Sequence, residues 1–293
     1  MSLYLWSIKE PAHRLKTIME RHEYEKLYEL EDSYWWFVGR RQLVTALIEK
    51  RVPTDEVGPI LDVGCGSGGN LAFMARWGYE AGADLSPLAI DLARRRNLPR
   101  LVQASGLALP YADGTFGMVT AFDVLYHRWV TNDDCVVREC YRALRPGGWL
   151  LVMDSAVPGL WSHHDEVFYA RKRYTLDEVH QMVGGVGFKP HKLSYANSIL
   201  FPAAVIARLL GRWFPSISNT EMQPLPPWLN RALTGVLGLE ATWLQRHNFP
   251  IGSSVVCLAQ KPPNVEADVQ PQHAFRFTQP WRLTTRENHL VQR

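Results

Sequence analysis

A glycine-rich segment, "LDVGCGSGGN" at residues 61–70, has the residue types of a ligand-binding loop. It follows an apolar run and precedes a helical pattern, and a backbone without side chains can approach a ligand closely at such a junction. Asp84 lies twenty residues after Gly64, at the end of the next strand-like run, where a carboxylate can accept from both hydroxyls of a ribose. The spacing predicts a nucleoside site and also fits a nicotinamide-dependent oxidoreductase.

The elements that must position this loop form an alternating pattern. Five short apolar runs are separated by helical patterns, which predicts a doubly wound parallel sheet. Thr175 and Glu178 then have the spacing of a capping box at the start of a further helix. Two more strand-like runs, "KPHKLSYAN" and "GSSVVCLAQ", are separated by about fifty Leu-, Pro- and Trp-rich residues, and so long an interruption usually has a function.

The composition excludes several classes of protein. A net charge of +3 over 293 residues is too small to predict a nucleic-acid partner. The tight basic run at 94–96 fits the solvated end of a helix. Four scattered cysteines predict free thiols and a reducing, cytoplasmic location. The first residues lack the layout of a signal peptide, and no segment predicts a membrane span.

Four segments in order resemble the class I S-adenosylmethionine-dependent methyltransferases, in particular the small-molecule, ubiquinone-type ("type 11") group. They are "LDVGCGSGGN", "ADLSPLAIDLAR", "LALPYADGTFGMVTAFDVLYH" and "ALRPGGWLLVMD". The resemblance implies a Rossmann-like, seven-stranded α/β sheet with its last strand antiparallel. It also implies a division into an N-terminal helical lid (1–57), a cofactor-binding core (58–197 and 251–262), a helical insertion (198–250) and a C-terminal tail (263–293).

The resemblance implies S-adenosylmethionine as the cofactor and S-adenosylhomocysteine as the product. The implied cofactor-binding residues are Asp62, Gly64, Gly66, Gly68, Asp84, Leu85, Ser105, Gly106 and Asp123. Asp62 and the glycines are expected at the methionine end, Asp84 at the ribose, and Leu85 and Gly106 at the adenine. Ser105 stands where the family often has an Asp, and its hydroxyl accepts without charge assistance, so either weaker cofactor affinity or a different acceptor for the adenine amino group is expected.

Asp62 is the residue that separates the two nucleoside-dependent reactions. A carboxylate two residues before Gly64 is unfavourable beside a pyrophosphate and favourable beside an amino group or a sulfonium. Methyl transfer is therefore the predicted activity. An NAD(P)-dependent oxidoreductase and a non-catalytic S-adenosylmethionine-binding protein stay open as alternatives, the second because of Ser105.

Two histidine-containing segments are candidates for the reaction itself. The segment after the fourth strand, "FDVLYHRW", leads toward the methyl group in the resembling fold, so His127 is the first candidate base, with Tyr126 beside it. A second segment, "WSHHDEVFYARKRY" at 161–174, provides His164 as a further catalytic candidate. Asp165 and Tyr174 are expected to contact the substrate. The histidine spacing does not predict a metal site.

The aromatic run "WWF-x-GRR" at 35–41 resembles a bacterial subgroup linked to the assembly of glycan or lipid-like products. We expect Trp35 and Trp36 to exclude water from the cofactor cleft and to contact the substrate, together with Arg40. The acceptor is predicted to be a small molecule, apolar or linked to a lipid or glycan. The insertion is expected to form an acceptor wall and to mediate a homodimer, without stable membrane insertion or a nucleic-acid partner.

Overall fold

A mixed seven-stranded sheet forms the centre of the computed structural model, which describes residues 21–53, 57–161, 163–213 and 223–263, with the backbone alone at 163–164 and 208–213. The strands are β1 (Ile60–Val63), β2 (Glu80–Asp84), β3 (Leu101–Gln103), β4 (Phe116–Phe122), β5 (Leu144–Ser155), β6 (Lys189–Ala196) and β7 (Ser254–Gln260). Their order is β3-β2-β1-β4-β5-β7-β6. Because β7 is antiparallel to both β5 and β6, the predicted doubly wound sheet with an antiparallel last strand is confirmed.

Nine α-helices accompany this sheet in the described residues. They are α1 (Arg21–Leu30), α2 (Trp35–Arg51), α3 (Gly69–Met74), α4 (Pro87–Arg94), α5 (Asp133–Ala143), α6 (His163–Val167), α7 (Leu176–Val186), α8 (Phe201–Trp213) and α9 (Pro227–Leu244). The capping box predicted for Thr175 and Glu178 is present at α7, which ends at Gly187 in the left-handed region. Local sequence therefore determines where this helix begins and ends.

Both faces of the sheet are covered, which is why the central strands are apolar throughout. All seven residues of β4 are buried. Helices α5 and α7 pack on one face, and α2 and α9 pack on the other. The cofactor-binding loop therefore lies on a rigid three-layer core.

Helices α2 and α9 run side by side in the same direction although about 190 residues separate them along the chain. At one end the backbone N–H of Trp35 donates to Asn230 Oδ1 (2.8 Å), and at the other Arg51 donates to the carbonyl of Gln245 (2.6 Å). Between these ends Gly39 lies so close to Leu237 that an added Cβ would be 2.2 Å from Leu237 Cδ1. The small residue in "WWF-x-GRR" thus allows the close approach of α9.

The expected lid and insertion consequently contribute to the core itself. Leu47 and Ile48 of α2 are fully buried against the sheet, and Leu244 of α9 joins the same cluster. The expected domain boundaries at 57 and 198 divide the chain by sequence position, whereas the segments on both sides of each boundary pack into the same core. Most of the expected tail, 264–293, and residues 1–20 lie outside the described residues. Among the described helices, none combines the length and the hydropathy that a membrane-crossing segment requires.

Candidate active site

A cavity of about 490 Å³ opens at the carboxyl ends of β1, β2 and β4. Its volume is that of a typical small-molecule site. Loops after these strands form one end, and aromatic side chains of α2 and of the loop after β4 form the other. The carboxyl edge of a parallel sheet is where ligands bind in doubly wound folds, so this cavity is the candidate active site.

The three predicted loop glycines all have positive φ, but they differ in their surroundings. A Cβ on Gly64 would be 2.4 Å from Val124, and one on Gly68 would be 2.7 Å from Leu98, so these glycines permit close packing inside the protein. Gly66 has φ +54° and open space where its Cβ would lie, and it lines the cavity. Gly66 is therefore the glycine whose missing side chain leaves room for a ligand.

Asp84 lines the cavity at the end of β2 and is held by two backbone donors. The N–H of Gly66 donates to Oδ2 (2.9 Å) and that of Ser86 donates to Oδ1 (2.8 Å). Each carboxylate oxygen keeps acceptor capacity for a further donor, such as a ribose hydroxyl. Burial raises the pKa of Asp84, opposed by these two hydrogen bonds. Backbone donors thus fix the orientation of the predicted ribose acceptor.

The structure places Asp62 away from the cavity. Asp62 pairs with Thr120 across β1 and β4, is 1% exposed, and accepts from Thr120 Oγ1 at 2.6 Å. Burial raises its pKa to about 7. Its carboxylate does not line the cavity, so the electrostatic argument that used it against a pyrophosphate loses its basis. Direct contact between Asp62 and a cofactor stays a prediction.

The expected adenine end contains Leu85, Ser105 and Gly106, which all line the cavity. Ser105 Oγ accepts from the backbone N–H of Leu107 (3.2 Å). This local bond stabilises the turn after β3. The Ser105 hydroxyl retains its own O–H as a donor, whereas the Asp common in the resembling family would only accept.

Asp123 begins the loop after β4 with φ +56°, and its carboxylate pairs with Arg40 of α2. Arg40 is 6% exposed and lies over the rings of Phe37 and Phe122. Both partners line the cavity, and Arg40 Nε has no hydrogen-bond partner among the described residues. This ion pair therefore joins the predicted cofactor-binding Asp123 to the predicted substrate-binding Arg40.

Tyr126 and His127 follow in the same loop and line the cavity with ring centroids 4.8 Å apart. Burial lowers the pKa of His127 to about 4, against the attraction of Asp123, and burial raises the pKa of Tyr126. Both side chains are consequently neutral at pH 7. His127 Nδ1 has no partner in the described part of the chain.

Asp154 supports this loop from β5, a role that the sequence analysis missed. It is fully buried and accepts from the backbone N–H groups of Leu125 (2.8 Å) and Ser155 (2.9 Å). Burial raises its pKa. A carboxylate at the end of an otherwise apolar strand, "LLVMD", was the available signal.

The second histidine segment contributes differently from the expectation. Asp165 forms an ion pair with Arg173 (2.7 Å) in which both side chains are 2% exposed, and Arg173 rather than Asp165 lines the cavity. Tyr174 lies in the core, donates to Asp133 (2.7 Å) and is not among the residues that line the cavity, so its substrate contact stays a prediction. The side chain of His164 lies outside the described residues.

Helix α1 and the turn that follows it contribute two cavity residues, Tyr24 and Glu31, that the sequence did not indicate. Glu31 is 8% exposed, accepts from Ser67 Oγ of the glycine loop (2.7 Å), and pairs with Arg96 (2.8 Å). Burial raises the pKa of Glu31, opposed by Ser67 and Arg96. Tyr24 lies beside Asp84, and burial raises its pKa. Arg96, the last of the arginines at 94–96, therefore connects the end of α1 to the glycine-rich loop, because it contacts both Glu31 and the Ser67 carbonyl.

Trp35 and Trp36 line the opposite end of the cavity, and Phe37 behind them is buried. Asn230 fixes the first turn of α2, because it accepts from the Trp35 N–H and donates to the Ser33 carbonyl (2.9 Å). The ring positions thus depend on a residue of the expected insertion. Ala204 of α8 lines the cavity as well.

Together, the sheet order and the cavity at its carboxyl edge define a Rossmann-like α/β fold with a candidate ligand site. Residues 61–152 match the family described as "Methyltransferase domain". The matched segment, about a third of the chain, is thus similar to the domains of that family. The "WWF-x-GRR" subgroup stays a resemblance, because the family match begins after that segment.

The chain is similar to two curated proteins over part of their length. Methyltransferase GfsG from Streptomyces halstedii is 33% identical over 125 residues, which cover 40% of this chain and 44% of that protein. A ubiquinone biosynthesis O-methyltransferase from Xanthomonas oryzae pv. oryzae is 32% identical over 143 residues, covering 44% and 59% respectively. The chain thus spans about half the length of the curated relatives that it matches.

Solved structures share the fold. A methyltransferase from Thermotoga maritima superposes with a TM-score of 0.51 at 18% identity, covering 82% of this chain and 95% of that one. The [4+2]-cyclase SpnF superposes with a TM-score of 0.50 at 19% identity, covering 76% and 81%. A chain named for cyclisation shares this fold, so the fold by itself does not select the reaction.

Proposed function

We propose that the protein transfers the methyl group of S-adenosylmethionine to a hydroxyl group of an amphiphilic small molecule. The observation that supports this most directly is a set of unpartnered buried atoms at one cavity. Arg40 Nε, His127 Nδ1, Trp129 Nε1 and Arg173 Nε lack hydrogen-bond partners in the described residues, and all four residues line the cavity. A buried polar atom without a partner costs about 1–3 kcal/mol, so a ligand that satisfies these atoms binds favourably.

The residues of the strand ends fit the cofactor. Asp84 is oriented to accept from ribose hydroxyls, and open space over Gly66 leaves room for the ligand's close approach. Leu85 and Gly106 provide apolar contact for the adenine, and Ser105 provides a hydroxyl donor. When bound, S-adenosylmethionine supplies an electrophilic methyl group on a sulfonium.

The unpartnered atoms define which acceptor chemistry fits. The Trp129 indole and the two guanidinium Nε groups are donors, so they match oxygen atoms of the ligand. The neutral His127 imidazole matches a hydroxyl that donates to its unprotonated nitrogen and gives up that proton as the new oxygen–carbon bond forms. Tyr126, Trp35 and Trp36 exclude water around this group.

The aromatic end of the cavity favours an apolar acceptor body, including one linked to a lipid or glycan. Two of the similar curated proteins are named O-methyltransferases, which agrees with an oxygen acceptor. The match to a methyltransferase family does not favour an oxidoreductase. Buried free thiols at Cys65, Cys140 and Cys257 agree with a reducing cytoplasm.

The first experiment separates the cofactors. We expect calorimetry to detect binding of S-adenosylmethionine and S-adenosylhomocysteine by the purified protein, and no binding of NADH. Tight binding of NADH without S-adenosylhomocysteine binding contradicts the proposal.

The second experiment identifies the acceptor class. The protein is incubated with tritium-labelled S-adenosylmethionine and either a lipid extract or a water-soluble extract of the source cells, and the labelled product is analysed by mass spectrometry. We expect label in lipid, and we expect His127→Ala to lower the rate about a hundredfold with unchanged cofactor affinity. A His127→Ala protein that transfers label at the normal rate at every pH removes His127 as the base.

A further inference from the structure

Large exposed apolar side chains concentrate in one part of the described chain. Seven such side chains are about half exposed or more, and only Tyr79 lies outside the region from 199 to 251. Single exposed apolar residues need no explanation, but a concentration of this kind marks an interaction surface. The described parts of α8 and α9 therefore form a candidate interaction surface.

Helix α9 presents these residues on a single face. Positions spaced by four, three, four and four residues lie within about one-third of the helix circumference. They are Trp228, Ala232, Gly235, Leu239 and Trp243, here called the α9 apolar stripe. Trp228 is 67% exposed, Leu239 is 70% exposed and Trp243 is 52% exposed. The opposite face carries the buried Leu237, Ala241 and Leu244, so the core already holds the helix and leaves the stripe uncovered.

The exposed charges within the segment that carries the stripe have one sign, whereas Asp32 and Glu49 line a neighbouring pocket together with Gly238 and Thr242. From 223 to 263 the sequence contains a single acidic residue, Glu240, and it is fully buried, accepting from the N–H groups of Ser198 (2.8 Å) and Ile199 (3.0 Å). Arg231 and Arg246 are exposed beside the stripe. The surface of α9 is accordingly apolar and basic, with no exposed carboxylate in this range.

The described part of helix α8 is also apolar and partly exposed. Its exposed positions from 202 to 207 are Pro202, Ala203, Ile206 and Ala207. Ala204 of the same helix lines the cavity from the other side. The described apolar part of α8 thus lies next to the candidate active site.

We propose that the α9 apolar stripe binds the surface of a bilayer that contains anionic lipids. Tryptophans are preferred at the interface of a bilayer, and basic residues near it are attracted to anionic headgroups. Binding is peripheral, with α9 in the plane of the interface. The sequence alone favoured a substrate wall or a dimer here because the segment contains few basic residues; the exposure of the stripe and the burial of Glu240 change that balance.

A second copy of the chain fits this surface less well. A two-fold contact through α9 would bring equivalent residues of the two copies together, and Arg231 and Arg246 would face like charges. No exposed carboxylate of this helix is present to neutralise them. An anionic headgroup layer supplies the missing negative charge.

Flotation with vesicles tests the proposal. The full-length protein is mixed with phosphatidylcholine vesicles with or without phosphatidylglycerol. We expect binding that requires phosphatidylglycerol. We expect the triple variant Trp228→Gln, Leu239→Gln, Trp243→Gln to lower the partition coefficient roughly a hundredfold, since three partly buried large apolar groups are lost. Arg231→Gln and Arg246→Gln should each lower it about fivefold, and salt should weaken the wild type in the same way.

Tyr79→Gln is the matched control, because Tyr79 is 72% exposed but lies at the start of β2, at the opposite edge of the sheet from the cavity. It should bind vesicles like the wild type. All variants are checked by thermal unfolding and by S-adenosylhomocysteine binding; if the triple variant fails to fold, Trp228→Gln alone takes its place. Wild-type protein that does not float, or a folded triple variant that floats as well as the wild type, overturns the proposal. So does a wild-type dimer that the triple variant dissociates without any vesicle binding.

Delivery of a membrane-resident acceptor to the cavity follows from this surface and rests on the proposed methyl transfer. The two ideas fail separately. Vesicle binding without S-adenosylmethionine binding would support the membrane-binding surface and contradict the proposed methyl transfer. Methyl transfer to a water-soluble compound at a rate unaffected by vesicles would support the proposed reaction and contradict delivery of the acceptor from the membrane.

Discussion

Replacement of Gly66 by Ala should have two separate effects, a loss of stability through backbone strain and a loss of cofactor affinity through the filled space in the cavity. Gly66 has φ +54°, and a non-glycine residue in this conformation costs about 1–2 kcal/mol. No heavy atom lies within 4 Å of the added Cβ, so no steric clash inside the protein adds to this cost. We expect the melting temperature to fall by roughly 2 to 8 °C.

The same methyl group occupies space that the proposed cofactor needs. Inserting a methyl group at a close contact typically costs about 1–3 kcal/mol, so the affinity for S-adenosylhomocysteine should fall roughly 10- to 100-fold. Calorimetry measures this affinity, at a temperature where thermal unfolding shows the variant to be folded.

Gly147→Ala provides the matched control. Gly147 also has a positive φ, +79°, and open space at its Cβ, but it does not line the cavity. The Gly147→Ala variant should lose a similar amount of stability and keep the wild-type affinity for S-adenosylhomocysteine. Equal affinities of the two variants would show that the cofactor does not lie over Gly66 and would refute the placement of the site.

Three further predictions test the site and the core. Asp84→Ala removes the expected ribose acceptor and should weaken S-adenosylmethionine binding by about 2 kcal/mol in calorimetry; an unchanged affinity would contradict the assignment. His127 has a pKa of about 4 in the folded protein against 6.5 for an exposed imidazole, so the unfolded state binds the proton first and stability should fall as the pH drops from about 6.5 toward 4. The decrease in unfolding free energy between pH 6.5 and 4, measured by urea unfolding, should be about 1–3 kcal/mol smaller in His127→Gln than in the wild type. An equal decrease in both proteins would argue against the burial of His127. Gly39→Ala should destabilise the protein by about 1–3 kcal/mol through its contact with Leu237, and Leu237→Ala should suppress that effect if the two helices pack as described.

Local patterns in the sequence were enough to predict the sheet. The five apolar runs, the capping box at α7 and the two late strands each depend on residues close together in the chain. The glycine loop and Asp84 were also predictable, because a strand that ends in glycines places its following residues at the carboxyl edge. Gly66, Leu85 and Ser105 line the cavity for this reason.

The direction of individual side chains depended on strand register. Asp62 and Asp84 both lie on strands that lead to the site, and both were expected from the sequence to contact the cofactor, Asp62 at its methionine end and Asp84 at its ribose. Because β1 and β4 align Asp62 with Thr120, its carboxylate is occupied inside the sheet, whereas Asp84 at a strand end reaches the cavity. Register between strands about sixty residues apart is not encoded in a local pattern.

The sequence by itself determined the strands, the helix caps, the glycine loop and the likeness to a methyltransferase, because each is a property of neighbouring residues or of spacing along the chain. Tertiary structure decided which of these residues meet. It placed Glu31 against Ser67, paired Arg40 with Asp123, and packed α2 on α9. These contacts join segments that are distant in sequence, and burial in a shared core, which no single segment specifies, determines which polar atoms are left without partners at the cavity.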